Sequence, residues 1–167
     1  MLEFLGMQYE QEFGLSVAIA RPYNAYGPRD QFDPERSHVI PALIRKAVDS
    51  GGGEFPVWGN GEASRAFVYV DDFARGLIEV AARHPKADPV NIGADEEVTI
   101  RHLAEMIADL TFELTGKQPR PVFDPSAPTG QPRRNCDTTK ARAVLDDVTR
   151  EPLKDGLRKT IKWHLNR

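Results

Sequence analysis

The sequence predicts an α/β fold. Short apolar runs rich in β-branched and aromatic residues alternate with longer stretches of helical period. The run at residues 16–20 is apolar on successive residues, as buried parallel strands are. The chain has 167 residues, 40% of them hydrophobic, which suffices for one domain with its own core.

Residues 1–13 read as a helix. Leu2, Leu5, Tyr9 and Phe13 form an apolar stripe at helical spacing, and Phe4 and Met7 add apolar bulk off it. Apolar residues on more than one side call for more than one packing neighbour. No capping residue precedes this helix, as though it were entered in its middle, and Gly14 ends it. Residues 16–20, Ser-Val-Ala-Ile-Ala, suit a buried parallel strand.

Residues 21–46 begin with a long, stiff, polar loop. Proline fixes φ at positions 22, 28, 34 and 41, which suits a binding loop better than a plain connector. Ser37 is placed to cap a helix reaching about residue 50, with Pro41 tolerated in its first turn. Residues 55–58 form a short strand before the tight-turn signal Gly59-Asn60-Gly61, and residues 66–70 form the next strand. Asp71 is a good cap for a helix over 72–83, with Phe73, Leu77, Ile78 and Val80 apolar. Residues 89–93 read as a strand. Thr99 can cap a helix whose stripe is Ile100, Leu103, Ile107 and Leu110. The proline-rich stretch 116–130 is extended, with a short strand at 120–123. Thr138 caps a short helix to residue 145, and Pro152 opens a last helix with Leu157, Ile161 and Leu165 inward.

Composition excludes several functions. A net charge of −3 gives no general attraction to nucleic acid or an anionic membrane, and no apolar run is long enough to span a bilayer. Cys136 is the one cysteine, so no intrachain disulfide forms; with no signal peptide pattern after Met1, a reducing, cytoplasmic setting is expected. His38, His84, His102 and His164 have no neighbours at metal-ligand spacing, so no metal is expected. There is no Gly-x-Gly-x-x-Gly, P-loop or Gly-x-Ser-x-Gly motif.

Arg21, Asn24, Lys46, Arg65, Arg133 and Arg134 could act on an anionic ligand, arginine through a two-pronged fork and lysine as a point charge. Trp58, beside a glycine turn, offers a face on which a base can stack. Taken one at a time, such residues are more often surface charges or a core aromatic than ligand contacts.

The stretch Arg-Pro-Tyr-Asn-Ala-Tyr-Gly-Pro-Arg-Asp from Arg21 resembles the Arg-Pro-x-Asn-x-Tyr-Gly-Pro signature of the extended short-chain dehydrogenase/reductases that act on nucleotide sugars. The resemblance continues, in order, through Ser-His-Val-Ile-Pro-Ala-Leu from Ser37, Val-Trp-Gly from Val57, Arg-Ala-Phe-Val-Tyr-Val-Asp-Asp from Arg65, Asn-Ile-Gly from Asn91 and Pro-Arg-Arg-Asn-Cys-Asp-Thr-Thr-Lys from Pro132. Asp-x-Phe-x-Pro before the Ser-His-Val-Ile-Pro run looks most like the GDP-L-fucose synthase branch.

The resemblance implies roles. Pro22, Tyr23, Asn24 and Ala25 would line the nicotinamide side of NAD or NADP, with Asn24 also facing a sugar diphosphate. His38 matches the general acid of epimerisation and would also touch the cofactor. Lys46, Trp58 and Arg65 match nucleotide-diphosphate contacts, and Arg134 a basic substrate contact. Thr129 stands where that branch carries a substrate-binding aspartate, a departure that changes which ligand donors the position reads.

The family's glycine-rich fingerprint and Tyr-x-x-x-Lys pair are not in this sequence, since no lysine lies four residues after Tyr9, Tyr23, Tyr26 or Tyr69. The expectation is therefore the C-terminal substrate-binding portion of an extended short-chain dehydrogenase/reductase, lacking the N-terminal Rossmann dinucleotide-binding half and not catalytic alone. Residues 1–167 would form a single substrate-binding domain, with 1–21 a remnant of the Rossmann sheet and 22–167 the nucleotide-sugar part. A nucleotide-sugar 4,6-dehydratase or 4-epimerase portion, or a non-catalytic nucleotide-sugar-binding subunit, are the alternatives. The expected ligand is a nucleotide-diphosphate sugar, and the helix at 1–13 is expected to drive self-association or dock a partner chain.

Overall fold

The computed structural model describes residues 1–146 and 149–167. In chain order its elements are α1 (Leu2–Phe13), β1 (Ala20–Pro22), β2 (Ala25–Tyr26), α2 (Val39–Asp49), β3 (Glu54–Trp58), β4 (Ser64–Ala66), β5 (Val68–Tyr69) and α3 (Val70–Arg83). There follow β6 (Val90–Ile92), β7 (Glu97–Thr99), α4 (Ile100–Thr115), β8 (Arg120–Asp124), β9 (Arg133–Arg134), α5 (Thr139–Val144) and α6 (Leu153–Leu165). The α/β class is as expected, and the chain divides into two compact units.

The first unit gathers Met1–Ala25, Ala66–Asp95 and Cys136–Glu151. Its parallel pair β1–β6 aligns Ala20 with Val90 and Pro22 with Ile92. Val80, Val90, Ile92, Ala141 and Leu145 are its buried centre, with Ala20, Phe73 and Val144 packed against them. Helix α3 lies so close to β6 that a Cβ on Gly76 would come within 2.7 Å of Ile92. The Asp72 carboxylate, 2% exposed, is fully committed. It accepts from Arg75 Nη1 at 2.6 Å and from the backbone N–H groups of Arg150 and Glu151 at 2.9 and 2.8 Å, so it splices α3 to a distant segment.

The second unit gathers Tyr26–Arg65, Glu96–Asn135 and Pro152–Arg167. Helices α2, α4 and α6 pack on one another. Ile44, Leu103, Ile107, Leu157 and Ile161 lose essentially all exposure there. The parallel pair β3–β8 turns Phe55 and Val57 inward, leaving Glu54, Pro56 and Trp58 outward, as a period of two requires. Helix α4 is capped by Thr99, whose hydroxyl accepts from His102 N at 3.1 Å. A three-stranded sheet has the order β7-β4-β9.

Several boundaries differ from the sequence reading. The strand expected at 16–20 forms at Ala20–Pro22, because its ladder extends only as far as its partner β6. The strand expected at 66–70 is divided into β4 and β5, and Val70 already begins α3. Tyr69 therefore holds the N-cap position, and Asp71 sits in the first turn. His38, not Ser37, is the N-cap residue of α2. Leu165 is 36% exposed and Ile78 70% exposed, so neither turns inward as the helical stripes suggested. Helix α1 buries no residue, and Leu2, Phe4 and Phe13 are each more than 60% exposed.

Candidate functional site

The second unit contains a cavity of about 370 Å³ lined from four directions. One face of α2 supplies Val39, Ala42, Leu43 and Lys46, residues three and four apart along one stripe. The end of β3 and the turn after it supply Val57, Trp58, Asn60 and Gly61, β4 supplies Arg65, and Pro128 and Thr129 close another side. The loop before α2 contributes Pro34, Glu35 and Ser37.

The wall is held by backbone bonds. Gly59 N donates to Asp124 O at 2.8 Å, continuing the β3–β8 ladder into the turn. The first two N–H groups of α4 donate to Gly61 O and Ala63 O at 2.9 and 2.8 Å, so the turn caps the helix and the helix fixes the turn. Arg101 stacks its guanidinium over Phe123 at 4.0 Å and donates to Asn60 O at 2.7 Å.

Lys46 Nζ donates to Pro56 O at 3.0 Å and lies 5.3 Å from the Trp58 ring centroid. Burial, together with Arg45 next to it, pulls its ammonium below the usual lysine range. Trp58 is 63% exposed, an aromatic plane open to a ligand. Arg65 donates to Ser64 O at 2.6 Å and to Gln131 O at 2.7 Å, bonds that fix its guanidinium fork.

Arg65 and Arg134 are register partners in parallel strands, as are Ser64 and Arg133. Ser64 and Arg133 both turn to one carboxylate, Glu97 of β7. Ser64 Oγ donates to it at 2.5 Å, and Arg133 holds it with Nε at 2.9 Å and Nη2 at 2.8 Å. These bonds, Arg133 first, push the Glu97 carboxyl down to about 2. By strand alternation Arg65 and Arg134 project from the other face, so Arg134 stands beside the cavity-lining arginine.

Of the candidate residues, Lys46, Trp58, Arg65 and Thr129 come together on this cavity. Two arginines offered as anion contacts are otherwise engaged. Arg133 clamps Glu97, and Arg21 grips Glu3 with Nε at 2.7 Å and Nη2 at 2.5 Å. His38 precedes α2, its side chain is 80% exposed, and its Nδ1 lies 3.9 Å from Asp30 Oδ1. It is neither a buried structural histidine nor a side-chain cap.

Pro22, Tyr23, Asn24 and Ala25 belong to the first unit. Pro22 ends β1, and Tyr23 N donates to Ile92 O at 3.0 Å. Asn24 is left-handed at φ 44°, with its amide donating to Ala66 O at 2.9 Å. One N–H of that amide is thereby committed, and the sequence has no glycine-rich cradle for a pyrophosphate. The residues present therefore do not by themselves fit a dinucleotide.

Sequence reading missed the apolar cavity floor of Val39, Ala42, Leu43 and Ile100, although the α2 stripe was there to find it. It also missed Glu97 as the clamp of β7, β4 and β9; nothing distinguishes that acid from its neighbours Asp95 and Glu96 before the strands are paired.

The NAD dependent epimerase/dehydratase family matches residues 1–93. The chain belongs to that family. It is 40% identical over 160 residues to "Probable GDP-L-fucose synthase 1" of Oryza sativa subsp. japonica, covering 94% of this chain and 47% of that protein. It is 34% identical over 163 residues to the dTDP-4-dehydro-6-deoxy-D-allose reductase of Streptomyces bikiniensis, with 96% and 47% covered. Among solved structures, the NADP-bound GDP-L-fucose synthetase of Naegleria fowleri superposes with a TM-score of 0.85 at 28% identity, covering 99% of this chain and 53% of that one. The chain thus spans about half the length of the curated relatives it matches, and the part it aligns with is their C-terminal half. The family is NAD(P)-dependent. Among the described residues no helix is long and apolar enough to cross a membrane.

Proposed function

We propose that this chain binds a nucleotide-diphosphate sugar in the second-unit cavity, as the substrate-binding portion of an NAD(P)-dependent sugar-nucleotide epimerase/reductase of the GDP-L-fucose synthase kind. The observation that carries this is the meeting of Lys46, Trp58, Arg65 and Thr129 on one cavity of about 370 Å³. Such a volume is ordinary for a small-molecule site. Arg65 offers a diphosphate a fork of charged donors, with Arg134 next to it in register. Lys46 adds a point charge whose partial burial strengthens its attraction for an anion. Trp58 offers the base a stacking face, and the α2 residues supply an apolar floor.

His38 is proposed as the general acid of epimerisation. Imidazole can return a proton to a carbanion near neutral pH, and exposure leaves this ring free to reach a bound sugar. Hydride transfer needs a cofactor cradle and an acid/base hydroxyl that these residues do not supply, so no turnover is assigned to the chain alone.

The apolar side of α1 is proposed to cover itself against a second copy or a partner chain. Exposed Leu2, Phe4 and Phe13 favour association. A clean monomer by light scattering would count against that.

The binding claim is tested by fluorescence. Trp58 and Trp163 are the chain's two tryptophans, so a Trp163→Phe variant isolates Trp58. Saturable quenching of that variant by a nucleotide sugar supports stacking, whereas no change with GDP-, UDP- or dTDP-sugars removes Trp58 from a nucleotide site. Thr129, in place of an aspartate, together with the 34% identity to a dTDP-sugar reductase, favours testing a dTDP-sugar as a second ligand.

A further inference from the structure

We infer that Asp30 is the positioning residue of His38: its carboxylate takes the Nδ1–H of the imidazole and leaves Nε2 as the nitrogen that serves the ligand. The inference deepens the role proposed for His38 as a general acid, and it rests on that reading.

The two side chains face each other from the two ends of the loop before α2, with His38 Nδ1 3.9 Å from Asp30 Oδ1. That is ion-pair distance, longer than a hydrogen bond. The His38 side chain is 80% exposed, so its torsions are free to close the gap. The Asp30 side chain is only 17% exposed. Its Oδ1 accepts from Gln31 N at 2.7 Å and keeps a second lone pair. Its Oδ2 is buried and has no hydrogen-bond partner among the described residues. A carboxylate this far withdrawn from water, with one backbone donor, is undercompensated. Among the described residues, His38 is the one basic side chain within ion-pair distance of it.

The backbone fixes both ends of the loop. Asp30 closes a turn with its own N–H on Gly27 O at 3.3 Å, Pro28 at the second position and Arg29, left-handed at φ 68°, at the third. A residue with a side chain is strained in that third position, and the turn holds the strain where Asp30 leaves it. Phe32, 2% exposed, stacks on His164 with ring centroids 4.4 Å apart and pins the middle of the loop. Asp33 folds the return, its Oδ1 accepting from Glu35 N at 2.9 Å and its carbonyl from Ser37 N at 2.9 Å. The His38 carbonyl then accepts from Ala42 N at 3.0 Å in the first turn of α2. The imidazole makes no capping bond, so it is the part left to turn.

Which imidazole nitrogen carries the proton is set by the bond the other one makes. With Nδ1–H on Asp30, the imidazolium gives its Nε2 proton to the carbanion. The N–H bond breaks, the C–H bond forms, and the neutral ring keeps its Nδ1 proton. Asp30 remains a carboxylate throughout and does not touch the sugar, the division of labour seen wherever an acid orients a catalytic histidine.

The test is nitrogen–proton NMR of the histidine rings, which separates the Nδ1–H and Nε2–H forms of neutral imidazole. The chain has four histidines, and the signals that vanish in His38→Ala are those of His38. At a pH where the ring is neutral, wild-type His38 should be mainly Nδ1–H, the reverse of the free side chain's preference. Asp30→Ala should restore an Nε2–H majority. Asp30→Asn keeps an acceptor for Gln31 N and loses the charge, so its Nδ1–H share should fall between the two. An Nε2–H majority in wild type overturns the inference, and so does a share unmoved by Asp30→Ala. If Asp30→Ala also loses the ring-current shifts of the Phe32–His164 stack, the loop itself has moved and Asp30→Asn decides. A share equal to wild type in that variant overturns the inference, and a reduced share with the stack intact supports it. No heat from any nucleotide sugar in calorimetry overturns the reading beneath it, a failure separate from the tautomer result.

Discussion

Gly59 lies so close to Thr129 that a Cβ added to Gly59 would stand 2.2 Å from Thr129 Cγ2. Gly59 also has φ +81°, where L side chains are strained. The turn that shapes one wall therefore depends on hydrogen at this position. Gly59→Ala should cost about 1–3 kcal/mol of stability from strain and displacement. It should also weaken ligand binding, because Thr129 and the turn cannot both stay in place. Thermal melts and a binding titration of the same variant check both parts.

The Glu97 clamp makes acid stability predictable. Its folded carboxyl titrates at about 2 against an ordinary 4.5, chiefly because of Arg133. A depressed carboxyl contributes stability that is fully present above its unfolded value and lost as pH falls toward the folded value. Stability should therefore decline from about pH 4.5 toward pH 2, and Glu97→Gln should remove that part of the decline. Denaturant melts across this range, with Arg133→Gln as partner variant, measure it; matching slopes in wild type and Glu97→Gln would contradict the clamp.

Lys46 should impose an alkaline limit on anion binding. Burial lowers its ammonium below 10.5, so affinity for a diphosphate should fall with rising pH before that ordinary value is reached. Lys46→Arg, which stays charged, should flatten the fall, and Lys46→Met should bind weakly at every pH. Isothermal titration over the alkaline range distinguishes the three proteins.

His38 should be dispensable for folding. It is exposed and makes no capping bond with its side chain, so His38→Ala should change stability by no more than about 0.5 kcal/mol. A large drop in melting temperature would assign it a structural role and remove the reason for proposing it as a proton donor.

Much of the architecture was legible because strong local signals agree with the tertiary outcome. The α4 stripe, the Thr99 cap and the Gly59-Asn60-Gly61 turn all fall where their chemistry places them. What failed was set by partners distant in sequence. Strand β1 begins at Ala20 because β6 pairs there, and no local pattern in residues 16–20 encodes that. Ile78 and Leu165 look like core residues in periodicity yet remain exposed, since a helix needs a neighbour before a stripe becomes buried. Asp72 reads as a first-turn acid, and only the return of residues 150 and 151 makes it a buried splice. In the candidate site, a family signature led to Lys46, Trp58, Arg65 and Thr129. Arg21 and Arg133 could be set apart from them only once Glu3 and Glu97 were seen in their grip.

The most direct test of the binding claim is calorimetric titration of nucleotide sugars into the wild-type chain and an Arg65→Ala variant. Saturable binding should weaken by about 1.5–3 kcal/mol in the variant, the worth of charged hydrogen bonds to a phosphate, with the fold intact. No heat with any nucleotide sugar, or equal affinity in the two proteins, would contradict it.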